Sequence, residues 1–231
     1  MRSATGTSHV HKTTRGVLSG AAMSLALAAL SSAAQAQVGV PIFCSDDTGH
    51  QNFACGSAAS ATNGSTVAVG DFANAISGST AVGIFSTAIS GGTAVGFNAN
   101  ANSGGATNTS FATAVGVGAN AGGSSGNAGT TAIGGNARAG LNAGETNATA
   151  LGDTSRANGV NATALGSHAQ ANSTDATSVG DGAIANATNA SAFGQGASAN
   201  ASGASALGQN AQAIDLKQCR RTANQGNSHV P

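Results

Sequence analysis

Small and larger apolar residues alternate in a four-residue motif that recurs ten times between Val67 and Gly208. Each copy has Thr, Ser or Val, then Ala or Ser, then one larger apolar residue, then Gly, as in Thr163–Gly166. Successive side chains of an extended chain point to opposite sides, so this alternation is typical of a β-strand. Glycine adopts turn conformations readily. The motif therefore predicts one short strand per copy, ended by a turn.

The spacing of the copies indicates a stacked structure. Their closing glycines recur at a constant interval from Gly152 to Gly208, at a similar one from Gly70 to Gly96, and at wider ones between Gly96 and Gly152. A nearly fixed period means that one unit is repeated along an axis. The unit 161–174 contains a second alternating stretch, Ala169–Ala171, which makes it strand, turn, strand and turn. We therefore predict an all-β protein, a parallel β-roll or solenoid of about 14-residue repeats. Its turn glycines are Gly70, Gly83, Gly96, Gly116, Gly134, Gly152, Gly166, Gly180, Gly194 and Gly208.

Stacking also places like residues above like residues. We expect the larger apolar residues to form a core column, and the alanines before them to form an outer column on the opposite face. One large residue per unit buries too little surface to offset the entropy of ordering the unit. An oligomer packed through the alanine column is therefore expected. The expected core column is Val69, Val82, Val95, Val115, Ile133, Leu151, Leu165, Val179, Phe193 and Leu207.

Residues 1–36 have the features of a secretory signal peptide. Lys12 and Arg15 precede an apolar stretch at 16–30, and Ala34–Ala36 fits a small-x-small cleavage site. A membrane anchor is the alternative, but the apolar stretch is shorter than the ~20 residues that a transmembrane helix needs. No later segment is apolar enough to span a bilayer as a helix. We therefore expect an exported chain that does not insert into a membrane by itself.

Three segments follow the signal. Residues 37–56 form a non-repetitive cap, 57–213 form the repeat array, and 214–231 form a tail that breaks the pattern. A cap is expected because the edge of the first coil of a solenoid would otherwise be exposed. Export permits a disulfide between Cys44 and Cys55, with two unpaired thiols as the alternative.

Charge and motif context argue against several functions. Only 7% of the residues are charged, and the chain therefore lacks the basic surface that nucleic-acid binding requires. Gly122–Gly126 matches G-x-S-x-G, but it lies in a Gly/Ser-rich insertion and not before a helix. Repeated turn glycines explain the G-x-G-x-x-A match at Gly194–Ala199. His168 has no second His or Cys at ligand spacing. We therefore expect no enzyme activity, no cofactor and no bound metal.

The signal and the repeated unit, Thr163–Gly166 followed by Ser167–Ala171, resemble the head of trimeric autotransporter adhesins of the YadA type. The resemblance covers about residues 57–213. It implies a left-handed roll, a homotrimer, outer-membrane surface display and a role in virulence through adhesion. In that family a coiled-coil stalk and a β-strand anchor follow the head. The residues after Ala213 show neither pattern, so we expect a head without its stalk and anchor. We expect this head at the bacterial cell surface if it is part of a full-length adhesin, and in the periplasm or outside the cell otherwise.

We therefore expect an exported, non-catalytic adhesin head that attaches multivalently to host extracellular matrix, cells or other bacteria. Insertions at 101–111, 122–130 and 139–147 are the first candidates for ligand contact. The alternatives are a passive structural spacer or coat solenoid and a non-functional truncated remnant of an adhesin. An ice-binding solenoid would need an outward row of threonines. We expect those threonines to point inward, since each shares a side with the larger apolar residue.

Overall fold

The computed structural model describes residues 44–47, 51–102, 111–123 and 127–214. It confirms the all-β prediction: two sheets of parallel strands are wound as a β-solenoid, whose most regular coils stack Thr149, Thr163 and Thr177 in register. The predicted signal peptide and the tail beyond Ile214 lie outside the described residues. Those residues contain no helix, and hence none long and apolar enough to cross a membrane.

Each coil contributes one strand to each sheet, and the strands are numbered in chain order. The first sheet has 12 strands: β1 (Cys44–Asp47), β2 (Asn52–Cys55), β4 (Val67–Val69), β6 (Thr80–Val82), β8 (Thr93–Val95), β10 (Thr113–Val115), β12 (Thr131–Ile133), β14 (Thr149–Leu151), β16 (Thr163–Leu165), β18 (Thr177–Val179), β20 (Ser191–Phe193) and β22 (Ser205–Leu207). The second has 11: β3 (Ser60–Thr62), β5 (Asn74–Ile76), β7 (Thr87–Ile89), β9 (Asn100–Ala101), β11 (Asn120–Ala121), β13 (Arg138–Ala139), β15 (Arg156–Ala157), β17 (Gln170–Ala171), β19 (Ile184–Ala185), β21 (Ser198–Ala199) and β23 (Gln212–Ala213).

The pairing register follows the sequence motif. Strand β16 pairs in parallel with β14 and β18, which places Thr163 between Thr149 and Thr177. Strand β10 keeps the same register with β8 and β12, although longer segments separate these strands. At the N-terminal end β1 pairs antiparallel with β2, and a disulfide joins Cys44 to Cys55. The insertions therefore leave the stacking of the motif intact.

Alanine lines the interior of the roll, and the expected core column was assigned to the wrong side. Every buried hydrophobic side chain among the described residues is alanine, and Ala164 and Ala171 are fully buried. Leu165, by contrast, is 41% exposed and Leu207 is 82% exposed. No member of the expected core column is buried: Val69, Val82, Val95, Val115, Ile133, Leu151, Leu165, Val179, Phe193 and Leu207 lie half-buried or exposed on the outer side of the first sheet.

The small circumference of the coil explains this reversal. In the unit 161–174 a three-residue strand faces a two-residue strand across tight turns, which leaves room inside only for small side chains such as alanine and serine. The unit has four buried alanines, Ala162, Ala164, Ala169 and Ala171, against one large apolar residue. The period of two was correctly predicted. The abundance of alanine was the signal that showed which side faces inward.

Close stacking of backbones explains the glycine at the end of each motif. Gly166 has a φ of +132°, a conformation that side-chain-bearing residues rarely adopt. A Cβ atom at this position would lie only 2.5 Å from the carbonyl oxygen of Gly180 on the next coil. Both the local conformation and the contact with the neighbouring coil therefore require glycine.

Ladders of asparagine side chains reinforce the later coils. The Asn172 amide donates to Asn186 Oδ1 at 2.7 Å, and the Asn186 amide donates to Asn200 Oδ1 at 2.8 Å. Such ladders form when identical residues stack in register, as they do in cross-β assemblies. They add side-chain hydrogen bonds to the backbone bonds that connect successive coils.

Candidate functional site

The outer side of the first sheet is an apolar surface that runs along the roll. We define it as the apolar face, formed by the first and third residues of each motif, which flank the buried alanine. Leu151, Leu165 and Phe193 are each about 40% exposed on it, and they lie on strands paired through the sheet. A continuous exposed apolar stripe marks an interaction surface more often than isolated exposed residues do. The apolar face is therefore the best candidate for an assembly surface.

The threonines of the motif also lie on the apolar face. Thr149, Thr163 and Thr177 are stacked in register and only half-buried. The expectation that they point inward was wrong because the larger apolar residues, with which they share a side, face outward. The threonine row therefore faces outward, which is the orientation that an ice-binding surface requires.

Three phenylalanines form an aromatic edge, Phe72, Phe85 and Phe97, in the turns that follow the first-sheet strands. All three are about half exposed; the first pair of rings is stacked at 5.1 Å, and the second pair meets edge to face at 6.1 Å. Phe72 and Phe85 have positive φ, a costly conformation for residues with bulky side chains. Asn136 and Asn210 occupy the matching position in later coils. Sequence reasoning missed this edge, although its residues follow the motif glycine by one or two positions.

The three insertions share one edge of the roll. Each lies in a connection from a second-sheet strand to the next first-sheet strand. Their candidate ranges 101–111, 122–130 and 139–147 include residues 103–110 and 124–126, which lie outside the described residues. The strand ends that bear the three insertions therefore lie on a single side of the fold.

Side-chain hydrogen bonds hold the last two insertions together. The Asn127 side chain donates to the Gly140 carbonyl, and its Oδ1 accepts from the Glu145 amide at 2.8 Å. Glu145 is buried, and its carboxylate accepts from the Asn142 backbone at 2.9 Å and from the Asn142 side chain at 2.7 Å. A buried carboxylate needs such partners. This acid therefore has a structural role inside its loop.

The outer side of the second sheet is a polar surface that carries two stacked arginines. Arg138 and Arg156 are register partners on β13 and β15, next to Asn120 and Gln170 in the same column. Their neighbours Ala139 and Ala157 point into the core, which places both arginines on the outside. The full column is Ser60, Asn74, Thr87, Asn100, Asn120, Arg138, Arg156, Gln170, Ile184, Ser198 and Gln212.

Two of the motifs considered for cofactor or metal binding, Gly194–Ala199 and His168, lie within the described residues, whereas the Gly122–Gly126 match includes residues 124–126, which lie outside them. His168 Nδ1 lies 3.7 Å from Asp181 Oδ1 in an exposed pair, and such surface pairs contribute little. Gly194–Ala199 leads into strand β21, whereas a dinucleotide motif opens a helix. Among the described residues, no group of three or more His, Cys, Asp or Glu is placed to hold a metal ion. The geometry offers extended surfaces for binding.

One family model matches part of the roll. The family model of the YadA head domain repeat (2 copies) matches four overlapping windows, 143–169, 157–183, 171–197 and 185–211. Each window begins one coil after the window before it, in step with the stacking of Thr149 and Thr163 in the structure. No curated protein is significantly similar to the chain.

Proposed function

We propose that the whole roll, in which residues 143–211 are YadA head domain repeats, is the head of an exported, non-catalytic adhesin. The observation that carries this proposal is the unbroken register of the two sheets, which extends the matched segment into the earlier coils without a change of architecture. The predicted signal at 1–36 would direct the chain to the cell surface or outside the cell. The matched family is an adhesin family, which supports attachment to matrix, cells or other bacteria.

The head assembles as a homotrimer through its apolar face. The apolar face takes the place of the alanine column that the sequence suggested as the trimer interface, because those alanines are buried in the core of each protomer. Residues such as Leu165 still expose part of their surface, and burying the remainder yields ~1–2 kcal/mol for each. Repetition along ten motifs supplies enough apolar surface for three rolls to pack around a common axis.

Adhesion then uses the surfaces that remain outside the trimer. The aromatic edge exposes three apolar rings, and two of its residues, Phe72 and Phe85, have a backbone conformation that costs free energy. The turn requires a positive φ at this position but not a phenylalanine, since Asn136 and Asn210 occupy it in later coils; the choice of phenylalanine therefore supports a binding role. The three identical surfaces of a trimer would combine weak contacts into firm attachment.

The first test measures the mass of the full chain in solution by light scattering and its attachment to matrix-coated surfaces. We expect a trimer that adheres, and weaker adhesion when Phe72 and Phe85 are both replaced by Asn, the residue found at that position in later coils. A trimer that attaches to no matrix, cell or bacterial surface would favour the passive spacer. A disordered monomer would favour a non-functional remnant.

The in-register threonines support one rival function, ice binding through the same face. Serine replaces threonine at Ser191 and Ser205, and partly exposed Leu and Phe side chains interrupt the row, which favours assembly. The two functions exclude each other, because a face buried in a trimer cannot meet ice. A folded monomer that causes thermal hysteresis would establish ice binding in place of adhesion.

A further inference from the structure

Two arginines are stacked side by side on a surface that is otherwise free of positive charge. Arg138 and Arg156 are the only Lys or Arg residues in the part of the chain that the structure describes. They occupy adjacent strands in register, which are about 4.8 Å apart in a sheet. Like charges placed directly opposite each other destabilise a sheet. The fold by itself therefore gains nothing from this arrangement.

No acidic residue of the described chain neutralises the pair. No carboxylate there forms an ion pair with either guanidinium group, and the only ion pair recorded for the described residues joins His168 to Asp181. Glu145 follows Arg138 in the next loop, but both of its carboxylate oxygens accept hydrogen bonds from Asn142. The guanidinium groups are left free to bind an external anion.

We infer that Arg138 and Arg156 form a binding site for the sulfate or carboxylate groups of an anionic polysaccharide. Guanidinium groups bind such anions through paired hydrogen bonds. Gln170 flanks the pair in the same column, and its amide nitrogen can donate a hydrogen bond to a sugar oxygen. A polysaccharide lying along the roll axis would contact Arg138, Arg156 and Gln170 in succession.

The surroundings of the pair argue against other anionic partners. Two cations are too few for nucleic acid, whose binding depends on many phosphate contacts. The neighbouring column residues are polar, whereas a lipid surface calls for apolar side chains that enter the membrane. The site also adjoins the insertions at 122–130 and 139–147, which Asn127 and Glu145 join to each other. Insertions of a solenoid often gather on its binding face.

This inference names a ligand class for the proposed adhesin and rests on that function. In the proposed trimer the first sheets face the axis, so the second sheets and their arginine pairs face outward. Three pairs, one on each outward side of the trimer, would let one trimer bind several chains of a polyanion layer and so attach far more tightly than one pair does.

The test uses the full chain and dextran sulfate immobilised on a sensor surface, with uncharged dextran as the reference polymer. We expect binding to dextran sulfate alone, weakened by added salt because charge interactions are screened. Arg138→Gln with Arg156→Gln should reduce affinity by about tenfold or more, since charge-assisted hydrogen bonds are lost. Arg138→Lys with Arg156→Lys keeps the positive charges but loses the forked guanidinium donors, so its affinity should lie between those of the parent chain and the Gln/Gln variant.

A relocated pair provides the matched control. Ser198→Arg and Gln212→Arg are also register partners on the second sheet, and they restore the net charge when added to the Gln/Gln variant. We expect them not to restore binding. Full recovery of binding by the relocated pair would overturn the site, and so would equal affinity of the parent chain for phosphatidylserine vesicles or the absence of any binding to dextran sulfate.

Two further readouts separate the possible failures. If the arginines only stabilised the fold, the Gln/Gln variant would unfold at a lower denaturant concentration than the parent chain. We expect an equal or higher unfolding midpoint, because the repulsion between the two arginines is removed. A trimer that adheres to matrix without binding dextran sulfate would refute this site and leave the adhesin proposal intact. Binding to dextran sulfate without attachment to any matrix, cell or bacterial surface would refute the adhesin proposal instead.

Discussion

The alanine core makes a strong prediction about two neighbouring residues, Ala164 and Leu165. Ala164 is fully buried between the sheets and faces a second layer of alanines, whereas Leu165 is 41% exposed on the apolar face. Ala164→Leu should therefore disrupt the roll, and Leu165→Ala should leave its fold intact. An interpretation in which the larger residues fill the core predicts the reverse.

The magnitudes follow from burial. Ala164→Leu forces three additional carbon atoms into a space lined by methyl groups, and overpacking costs ~1–3 kcal/mol even in cores with more freedom to adjust. We expect at least ~3 kcal/mol here, because shifts of one coil would break hydrogen bonds to both neighbours. Leu165→Ala removes only the buried part of a side chain, which is worth about 1–2 kcal/mol.

Urea unfolding monitored by circular dichroism measures both effects, and light scattering at several protein concentrations separates fold from assembly. The Ala164→Leu midpoint should fall at every concentration. The Leu165→Ala midpoint should fall most at low protein concentration, where the weakened trimer dissociates first. An Ala164→Leu protein within ~1 kcal/mol of the parent, beside a Leu165→Ala protein destabilised by ~3 kcal/mol or more at every concentration, would refute the alanine core.

Three smaller changes test other parts of the fold. Gly166→Ala should destabilise the fold by more than the ~1 kcal/mol of ordinary positive-φ strain, because the added Cβ would also collide with the next coil. An unchanged urea midpoint of unfolding would contradict this close contact. Thr154→Asn should stabilise the fold by about 0.5–1 kcal/mol, because Thr154 has a φ of +54° and asparagine tolerates that conformation better than threonine. A lower urea midpoint would show that the hydrogen bond from the Thr154 hydroxyl to the Asp153 carbonyl contributes more than the relieved strain. Replacing Cys44 and Cys55 with Ser should raise the rate of amide hydrogen exchange in β1 and β2 and leave distant coils unchanged, because each coil of a solenoid contacts only its neighbours. A uniform loss of protection along the roll would show that its stability is not local.

Fold class and register were determined by the sequence alone. The ten motifs fix a strand and a turn in each unit, and their spacing fixes parallel stacking, which the structure confirms in the pairing of Thr163 with Thr149 and Thr177. These features are local or strictly periodic, so a one-dimensional pattern is enough to reveal them. The segment that matches the YadA head domain repeat lies within the array recognised in this way.

The sequence left open which side of each strand faces inward, and the tertiary structure decided it. Alternation separates Ala164 from Leu165 but does not say which is buried, and the usual preference for larger residues in cores gave the wrong answer. Burial depends on the cross-section of the closed coil, which exists only once the two sheets face each other. The candidate surfaces have the same origin. Phe72 and Phe85 are separated along the chain by a whole coil, as are Arg138 and Arg156, and each pair becomes adjacent because winding places successive coils side by side.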